Sequence, residues 1–281
     1  MKILLTNDDG YRARGLAELV RIMKPYGELT VVAPKFHQSG MSMAVGLGYK
    51  PIAVKRLPDS DGVHWWYVDD TPASSVKFAL DNIFTDSAPD AVISGINHGS
   101  NSATAALYSA TIGAAQEGAL AGILSIGVSL DDFSDNADFS PAVRFFPEIF
   151  EKLTANRGDS IGVYYNVNIP ATDCDAIKGI SVCHQGIIHW VNEFQPYDRG
   201  IFRKKGIEPI DRGIRFIPEV EEGEEVFMMV GDVADDPRNC GAADHRKVKE
   251  GYISIVAHST DTTDYKELGR LEKLGLNKDF R

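Results

Sequence analysis

Strand and helix patterns alternate along the first part of the chain, and this alternation limits the possible folds more than any other feature of the sequence. Residues 2–6 (KILLT) and 29–33 (LTVVA) are short apolar runs that end at turn residues, as buried strands do. Between them, apolar side chains recur at helical spacing, namely at Leu16, Leu19, Val20 and Met23. Strand, helix and strand within about 33 residues make one βαβ unit.

The same alternation continues to residue 167. The sequence predicts a pair of edge strands over 52–57 and 63–68, and three more strands over 91–94, 123–129 and 161–167. It predicts helices from Thr71 to about residue 84, over 111–122 and over 141–155. We therefore expect an α/β fold with a doubly wound, mostly parallel, Rossmann-like sheet.

The character of the sequence changes after Pro170. Short strand-like runs and many turn residues follow, and the last pattern is a surface helix from Asp264 to about Leu274. Six basic side chains lie between residues 199 and 215, and five glutamates lie between 219 and 225, which suits either a solvated β-arm or an arm exchanged between subunits. We expect an α/β core over 1–170 and, over 171–281, a smaller C-terminal β-rich arm and oligomerisation segment that packs back on the core.

Charge and cysteine content exclude several classes of function. The 281 residues carry 29 Lys and Arg against 40 Asp and Glu, a net charge of −11, so a polyanion such as DNA is repelled. The three cysteines form no CxxC pair, which favours a reducing compartment. The N-terminal apolar run is too short for a signal peptide, and Gln116 and Glu117 interrupt the longest apolar stretch. We expect a cytoplasmic protein that binds neither nucleic acid nor membrane.

Polar residues follow three of the predicted strands, where an open α/β sheet binds its ligands. The first of these loops supplies Asp8 and Asp9, the second supplies Ser39, and the third supplies Asn97 and Asn101. Carboxylate, hydroxyl and carboxamide oxygens suit the hard cations Mg²⁺ and Mn²⁺ better than Zn²⁺. A structural alternative remains for each loop, since Asn-Asp-Asp-Gly is also a tight-turn sequence.

A predicted helix N-terminus after the third loop offers an anion site. Backbone N–H groups and the helix dipole bind phosphate at such a position. Ser109 and Thr111 add hydroxyl donors there, or they only cap the helix. His37 and His98 fall in the same group of loops, where either is an acid, a phosphate donor or a bystander.

Motifs of several other enzyme classes do not occur. The sequence lacks GxxxxGK[ST], lacks GxGxxG after its first strand and lacks GxSxG. These absences argue against P-loop kinases, dinucleotide-dependent enzymes and α/β-hydrolases. The adjacent pair Asp8 and Asp9 also differs from the Asp-x-Asp pattern of aspartyl-phosphate phosphatases.

The order and length of the remaining motifs are more specific. The sequence resembles the SurE family of metal-dependent 5′/3′-nucleotidases in four segments, ILLTNDDGYRARGL, VVAPKFHQSGMSMAV, ISGINHGSNSATAALYSATIGAAQEG and YYNVNIP. A later segment, ADHRKVKEGYISIVAHSTDTTDY, resembles the C-terminal part of that family. The resemblance implies a phosphoric monoester hydrolase that converts nucleoside 5′-monophosphates, and by extension 3′-monophosphates, to nucleoside and phosphate.

The resemblance also implies roles for individual residues, and it places them in the core over 1–170. One divalent ion per subunit, Mg²⁺ or Mn²⁺, is expected to be held by Asp8, Asp9, Ser39 and Asn97. We expect Asp8 and Asp9 to be catalytic, and our hypothesis is that one of the two, with Asp9 favoured, also takes a proton from the attacking water. The substrate phosphate would be gripped by Asn101, Ser109 and Thr111. The family further implies a homodimer or homotetramer with exchanged C-terminal elements.

The chain departs from the family pattern at two places. Ala110 stands where the family usually has Gly in Ser-Gly-Thr, and residues 70–75 read DTPASS instead of GTPADC. A methyl group at position 110 restricts any positive-φ conformation of that loop. Two alternatives stay open: a non-catalytic metal- or phosphate-binding protein, and a nucleotide-binding oxidoreductase or transferase on the same fold.

Overall fold

The structure is a computed structural model that describes residues 1–48, 50–158, 160–198, 200 and 219–277. Its strands, numbered in chain order, are β1 (Lys2–Thr6), β2 (Glu28–Pro34), β3 (Val54–Arg56), β4 (His64–Val68), β5 (Ala91–His98), β6 (Leu124–Leu130), β7 (Val163–Ile169), β8 (Gly179–Val182), β9 (Ile188–Val191), β10 (Phe194–Pro196), β11 (Phe227–Met229), β12 (Asp232–Asp235) and β13 (Tyr252–Ser259). Its helices are α1 (Arg14–Met23), α2 (Pro72–Asn82), α3 (Ala110–Leu120), α4 (Ser140–Ala155), α5 (Asp244–Lys249) and α6 (Tyr265–Lys273).

Nine of these strands form one sheet in the order β3-β4-β2-β1-β5-β6-β7-β13-β8. The six consecutive strands β4-β2-β1-β5-β6-β7 are parallel to one another. At one end, β3 pairs with β4 in the antiparallel sense, as the edge-strand prediction for 52–57 and 63–68 requires. The prediction of a mostly parallel α/β sheet is therefore confirmed.

Helices cover both faces of the sheet because its central strands are apolar on both sides. Successive side chains of a strand point to opposite faces. Ile3 and Leu5 of β1 accordingly belong to a core cluster shared with α1 and α4, whereas Leu4 between them belongs to a second cluster shared with α2 and α3. This arrangement confirms the doubly wound interpretation.

The strand β5 is longer than predicted. The sequence indicated an end at residue 94, but β5 continues to His98 through a β-bulge between Ser94 and Asn97. Gly95 permits this bulge: its φ is 141°, and a Cβ atom there would lie 2.3 Å from the backbone oxygen of Val128. Bulges re-aim the side chains that follow them, and Asn97 is the first paired residue after this one.

The C-terminal part of the chain both extends the sheet and forms small strand pairs. β13 runs antiparallel to β7, and β8 lies parallel to β13 at the sheet edge. β9 pairs with β12, and β10 pairs with β11, as two further two-stranded sheets. The helix expected over 264–274 is present as α6, and none of its residues is buried. The six basic side chains noted between residues 199 and 215 lie outside the described residues.

Candidate active site

Three loops and one helix end converge at the carboxyl ends of β1, β2 and β5. The parallel pairing of β1 with both β2 and β5 brings these ends together. Asp8 and Asp9 follow β1, and the backbone N–H of Gln38, in the loop after β2, donates to the carbonyl oxygen of Asp8 at 2.7 Å. The predicted meeting of the first two loops is therefore present in the structure.

Asp8 is joined to the N-terminus of α3. The hydroxyl of Thr111 donates to Asp8 Oδ1 at 2.7 Å, and both side chains are buried. Burial raises the pKa of Asp8 to about 6, and the neighbouring charge of Asp9 adds to this, while the bond from Thr111 opposes it. The carboxylate of Asp8 thus faces the N-terminus of α3.

Asp9 is held by two histidines from different loops. Nδ1 of His37 lies 3.2 Å from Asp9 Oδ1, and Nδ1 of His98 lies 3.1 Å from Asp9 Oδ2. Burial works against ionisation of Asp9, but the hydrogen bonds from His37 and His98 outweigh it and hold its pKa well below the usual range. The sequence placed both histidines in the site loops, and their shared contact with Asp9 is what the structure adds.

Asn97 lies near the end of β5, directly before His98. Asn97 is buried, and its Nδ2 donates to the carbonyl oxygen of Gly99 at 2.7 Å. That bond fixes the orientation of the amide and leaves Oδ1 as the atom that can meet a cation. Its neighbour His98 contacts Asp9, which brings the third loop to the first.

Asn101 is clamped by two asparagines of β7. The Oδ1 of Asn168 accepts from the backbone N–H of Asn101 at 2.8 Å, and the Nδ2 of Asn166 donates to the carbonyl oxygen of Asn101 at 2.8 Å. Asn168 also donates to Asn166 Oδ1 at 2.9 Å, and the side chain of Asn101 donates to Ser129 Oγ at 2.9 Å. Asn166 and Asn168 were not among the predicted site residues, although two polar residues at alternate positions of a buried strand are a signal for such a role.

The side chains of Ser109 and Ser39 are placed differently from those of the other predicted site residues. Ser109 is the N-cap of α3, with its Oγ accepting from the N–H of Ile112 at 3.2 Å, so its side chain has a structural bond. Ser39 is exposed and makes no hydrogen bond within the described part of the chain. Ser39 follows Gln38, whose backbone N–H donates to the carbonyl oxygen of Asp8. This bond connects the loop to the site through its backbone and not through the Ser39 side chain.

The two departures from the family pattern fit their surroundings. Ala110 is the first residue of α3 and takes its place there without a positive φ. Thr71 caps α2 by accepting from the N–H of Ser74 at 3.2 Å, and Asp70 Oδ2 accepts from the N–H of Gly46 at 3.1 Å. The 70–75 segment therefore forms a helix cap and holds the loop that contains Gly46.

The donor set at this edge suits a hard cation. Among the residues that the structure describes, no three His, Cys, Asp or Glu side chains are grouped as a metal site, so a cation here would need neutral oxygens besides Asp8 and Asp9. Thr6 Oγ1 and Asn7 Oδ1, at the end of β1, and Ser94 Oγ, at the bulge within β5, are buried without a hydrogen-bond partner among the described residues. Unsatisfied buried polar groups are typical of a place where an ion or water binds.

Comparison with known proteins decides the family. Residues 3–192 match the family described as Survival protein SurE. A protein named 5′-nucleotidase SurE from Christiangramia forsetii is 37% identical over 276 residues, covering 98% of this chain and 97% of that protein. This chain belongs to the SurE family. Another SurE relative, from Cytophaga hutchinsonii and also named 5′-nucleotidase SurE, is 36% identical over 275 residues and covers 96% of this chain and 95% of its own.

A solved structure of a SurE protein agrees with the fold. The crystal structure of the SurE protein from Aquifex aeolicus matches with a TM-score of 0.76 at 29% identity, covering 98% of this chain and all of that one. The match extends beyond residue 192 into the C-terminal part, where the sequence motifs are least distinct. None of the helices in the described ranges is long and apolar enough to cross a membrane.

Proposed function

We propose that this chain is a divalent-metal-dependent phosphomonoesterase that hydrolyses nucleoside 5′-monophosphates to nucleoside and phosphate. The observation that carries the proposal is the hydrogen bond of 2.7 Å between Thr111, at the N-terminus of α3, and the buried carboxylate of Asp8. It joins an anion-binding helix end to an acidic pair within one site. SurE relatives at 36% and 37% identity carry the name 5′-nucleotidase, which supports this choice of substrate.

The proposed metal ligands are Asp8, Asp9, Ser39 and Asn97. Asp8 and Asn97 each have one side-chain oxygen that their hydrogen bonds leave available, and Asp9 is oriented by His37 and His98. Of the four, Ser39 is supported only by the position of its loop beside Asp8. Bound there, Mg²⁺ or Mn²⁺ would supply Lewis-acid neutralisation of the phosphate charge.

The chain's own residues would position the substrate and handle its proton. The N-terminus of α3, with Ser109 and Thr111, and the fixed loop at Asn101 would hold the phosphate oxygens. Water would attack phosphorus in line, the ester P–O bond would break, and the departing nucleoside oxygen would gain a proton from solvent water. Asp9 would take the proton of the attacking water, and its low pKa means that it would hold that proton only transiently.

We also propose a homodimer or homotetramer that exchanges C-terminal elements, with the arm beginning after residue 170. The arm packs back on the core through β13, which pairs with β7. Large apolar side chains of the arm stay exposed, namely Val182, Phe194, Phe227, Met229 and Val233. Three leucines of α6 and its C-cap are also exposed, namely Leu268, Leu271 and Leu274. Apolar surface of this kind is typical of an interface between subunits.

A cytoplasmic location completes the proposal. Cys174, Cys183 and Cys240 are all free, as expected of a protein in a reducing compartment.

Phosphate release from a panel of nucleoside 5′- and 3′-monophosphates tests the proposed activity. We expect release with added Mn²⁺ or Mg²⁺, and none after chelation. Metal binding without hydrolysis of any phosphomonoester would instead identify a non-catalytic binding protein. Sedimentation velocity over a range of protein concentrations tests the assembly, and a monomer at every concentration would contradict it.

A further inference from the structure

Tyr108 and Trp190 form an aromatic pair beside the candidate active site. Tyr108 directly precedes Ser109, the N-cap of α3, and Trp190 belongs to β9. The two ring centroids are 5.4 Å apart, and the rings are perpendicular, at 89°. Tyr108 is 59% exposed and Leu107 before it is 60% exposed, while Ser109 is buried. A large apolar surface is thus left open one residue away from the proposed phosphate site.

Both rings are attached to firmly bonded backbone. The carbonyl oxygen of Tyr108 accepts from the N–H of Ser42 at 3.0 Å, and the hydroxyl of Ser42 donates to the carbonyl oxygen of Leu107 at 2.8 Å. The strand β9 is tied to the turn before Tyr108, because Ile188 N–H donates to Thr104 Oγ1 at 3.2 Å and that hydroxyl donates back to Ile188 O at 2.5 Å. Because the pair is already held in place, little conformational entropy is lost in ordering it when a ligand binds.

Tyr11 and Phe36, two other aromatic residues near this edge, each have a ring in contact with a neighbouring group. Tyr11 packs against Tyr67 at 5.3 Å, and the guanidinium of Arg12 lies 5.0 Å from the Tyr11 ring. The ammonium of Lys35 lies 4.8 Å from the ring of Phe36. Among the described ring contacts, Tyr108 has only the perpendicular one with Trp190, so its exposed ring can stack with a planar ligand.

We propose that the Tyr108–Trp190 pair is a nucleobase subsite. The base of a mononucleotide would stack on this pair while its phosphate lies at the N-terminus of α3. The inference rests on the proposed function and deepens it by naming what distinguishes a nucleotide from other phosphomonoesters. Every base has a π-face, so stacking favours nucleotides as a class and discriminates little among the bases.

The test compares AMP with ribose 5-phosphate, which carries the same phosphate and sugar without a base. The measured quantity is the ratio of kcat/KM for AMP to kcat/KM for ribose 5-phosphate. In Tyr108→Leu we expect this ratio to fall about tenfold, the scale of losing one stacked base. Tyr108→Phe should restore the ratio, because it keeps the aromatic face and loses only the hydroxyl. Tyr265→Leu, which removes an exposed tyrosine of α6, is the matched control and should not change it.

A binding measurement separates this inference from the proposed function. Saturation-transfer NMR with adenosine, which has no phosphate, should detect binding to the native chain and its loss in Tyr108→Leu, whether or not the chain hydrolyses phosphate esters. If Tyr108→Leu does not fold, Trp190→Leu takes its place in both measurements. An unchanged ratio together with unchanged adenosine binding would overturn the subsite. If the same variant instead lowers the oligomeric state at an unchanged ratio, a second copy of the chain covers the pair, and the subsite is equally overturned.

Discussion

The buried carboxylate of Asp8 should make the metal-free protein less stable as pH rises. Its pKa is raised from 3.8 to about 6 in the folded chain, mainly by burial. Well below pH 3.8 the group is protonated in both the folded and the unfolded state, so it costs nothing. As pH rises the unfolded chain ionises first, and the folded state becomes less favourable until about pH 6. A shift of roughly two pKa units corresponds to about 3 kcal/mol.

Asp8→Asn removes this charge while keeping an oxygen that can accept the bond from Thr111. In the presence of a chelator, urea unfolding should give equal stabilities for the variant and the native chain at about pH 3, roughly one unit below the unfolded pKa. At pH 7 the variant should be more stable by about 3 kcal/mol. Asp86→Asn, at an exposed carboxylate, is the control and should show no such pH-dependent difference. A difference that does not change with pH, or a variant less stable at pH 7, would refute the assignment of the shift to burial.

Three further substitutions test single contacts of the site. Asp9→Asn should lower the rate of phosphate release at least ~100-fold, the scale of one preorganised electrostatic group, and near-normal turnover would remove Asp9 from the mechanism. Thr111→Val should destabilise the metal-free chain at pH 8 by ~1.5–3 kcal/mol, because a hydrogen bond to a buried carboxylate is lost; an unchanged urea midpoint would show that this bond contributes nothing. Asn168→Leu leaves the N–H of Asn101 without its partner and should cost ~1–3 kcal/mol and weaken inhibition by inorganic phosphate, whereas unchanged inhibition would restrict Asn168 to a structural role.

Much of the fold and the location of the candidate site follow from local sequence patterns. Apolar runs and helical spacing identify β1, α1 and β2, and the parallel arrangement then places Asp8 and Asp9 at the same edge as Asn97. The prediction succeeds because each step depends on a short stretch of sequence and on one general rule of sheet geometry.

The contacts that tune the site could not be predicted in the same way. The bonds of His37 and His98 to Asp9 depend on the conformations of two loops, and no local pattern fixes these. The extension of β5 to His98 depends on the close approach of Gly95 to Val128, which is a tertiary contact. The asparagines of β7 gave a usable signal, because polar residues in a buried strand need partners. That signal identifies Asn166 and Asn168 as important without naming Asn101 as the group they hold.

The central claim is that oxygens from three separate loops hold one divalent cation at this edge of the sheet. Anomalous scattering from a crystal soaked in Mn²⁺ tests it most directly, because the position of the ion is then measured rather than inferred from activity. The account predicts one strong peak per chain, within ~2.0–2.6 Å of oxygens of Asp8, Asp9, Ser39 and Asn97. A peak elsewhere, or a fully soaked crystal with no peak at these residues, would contradict it.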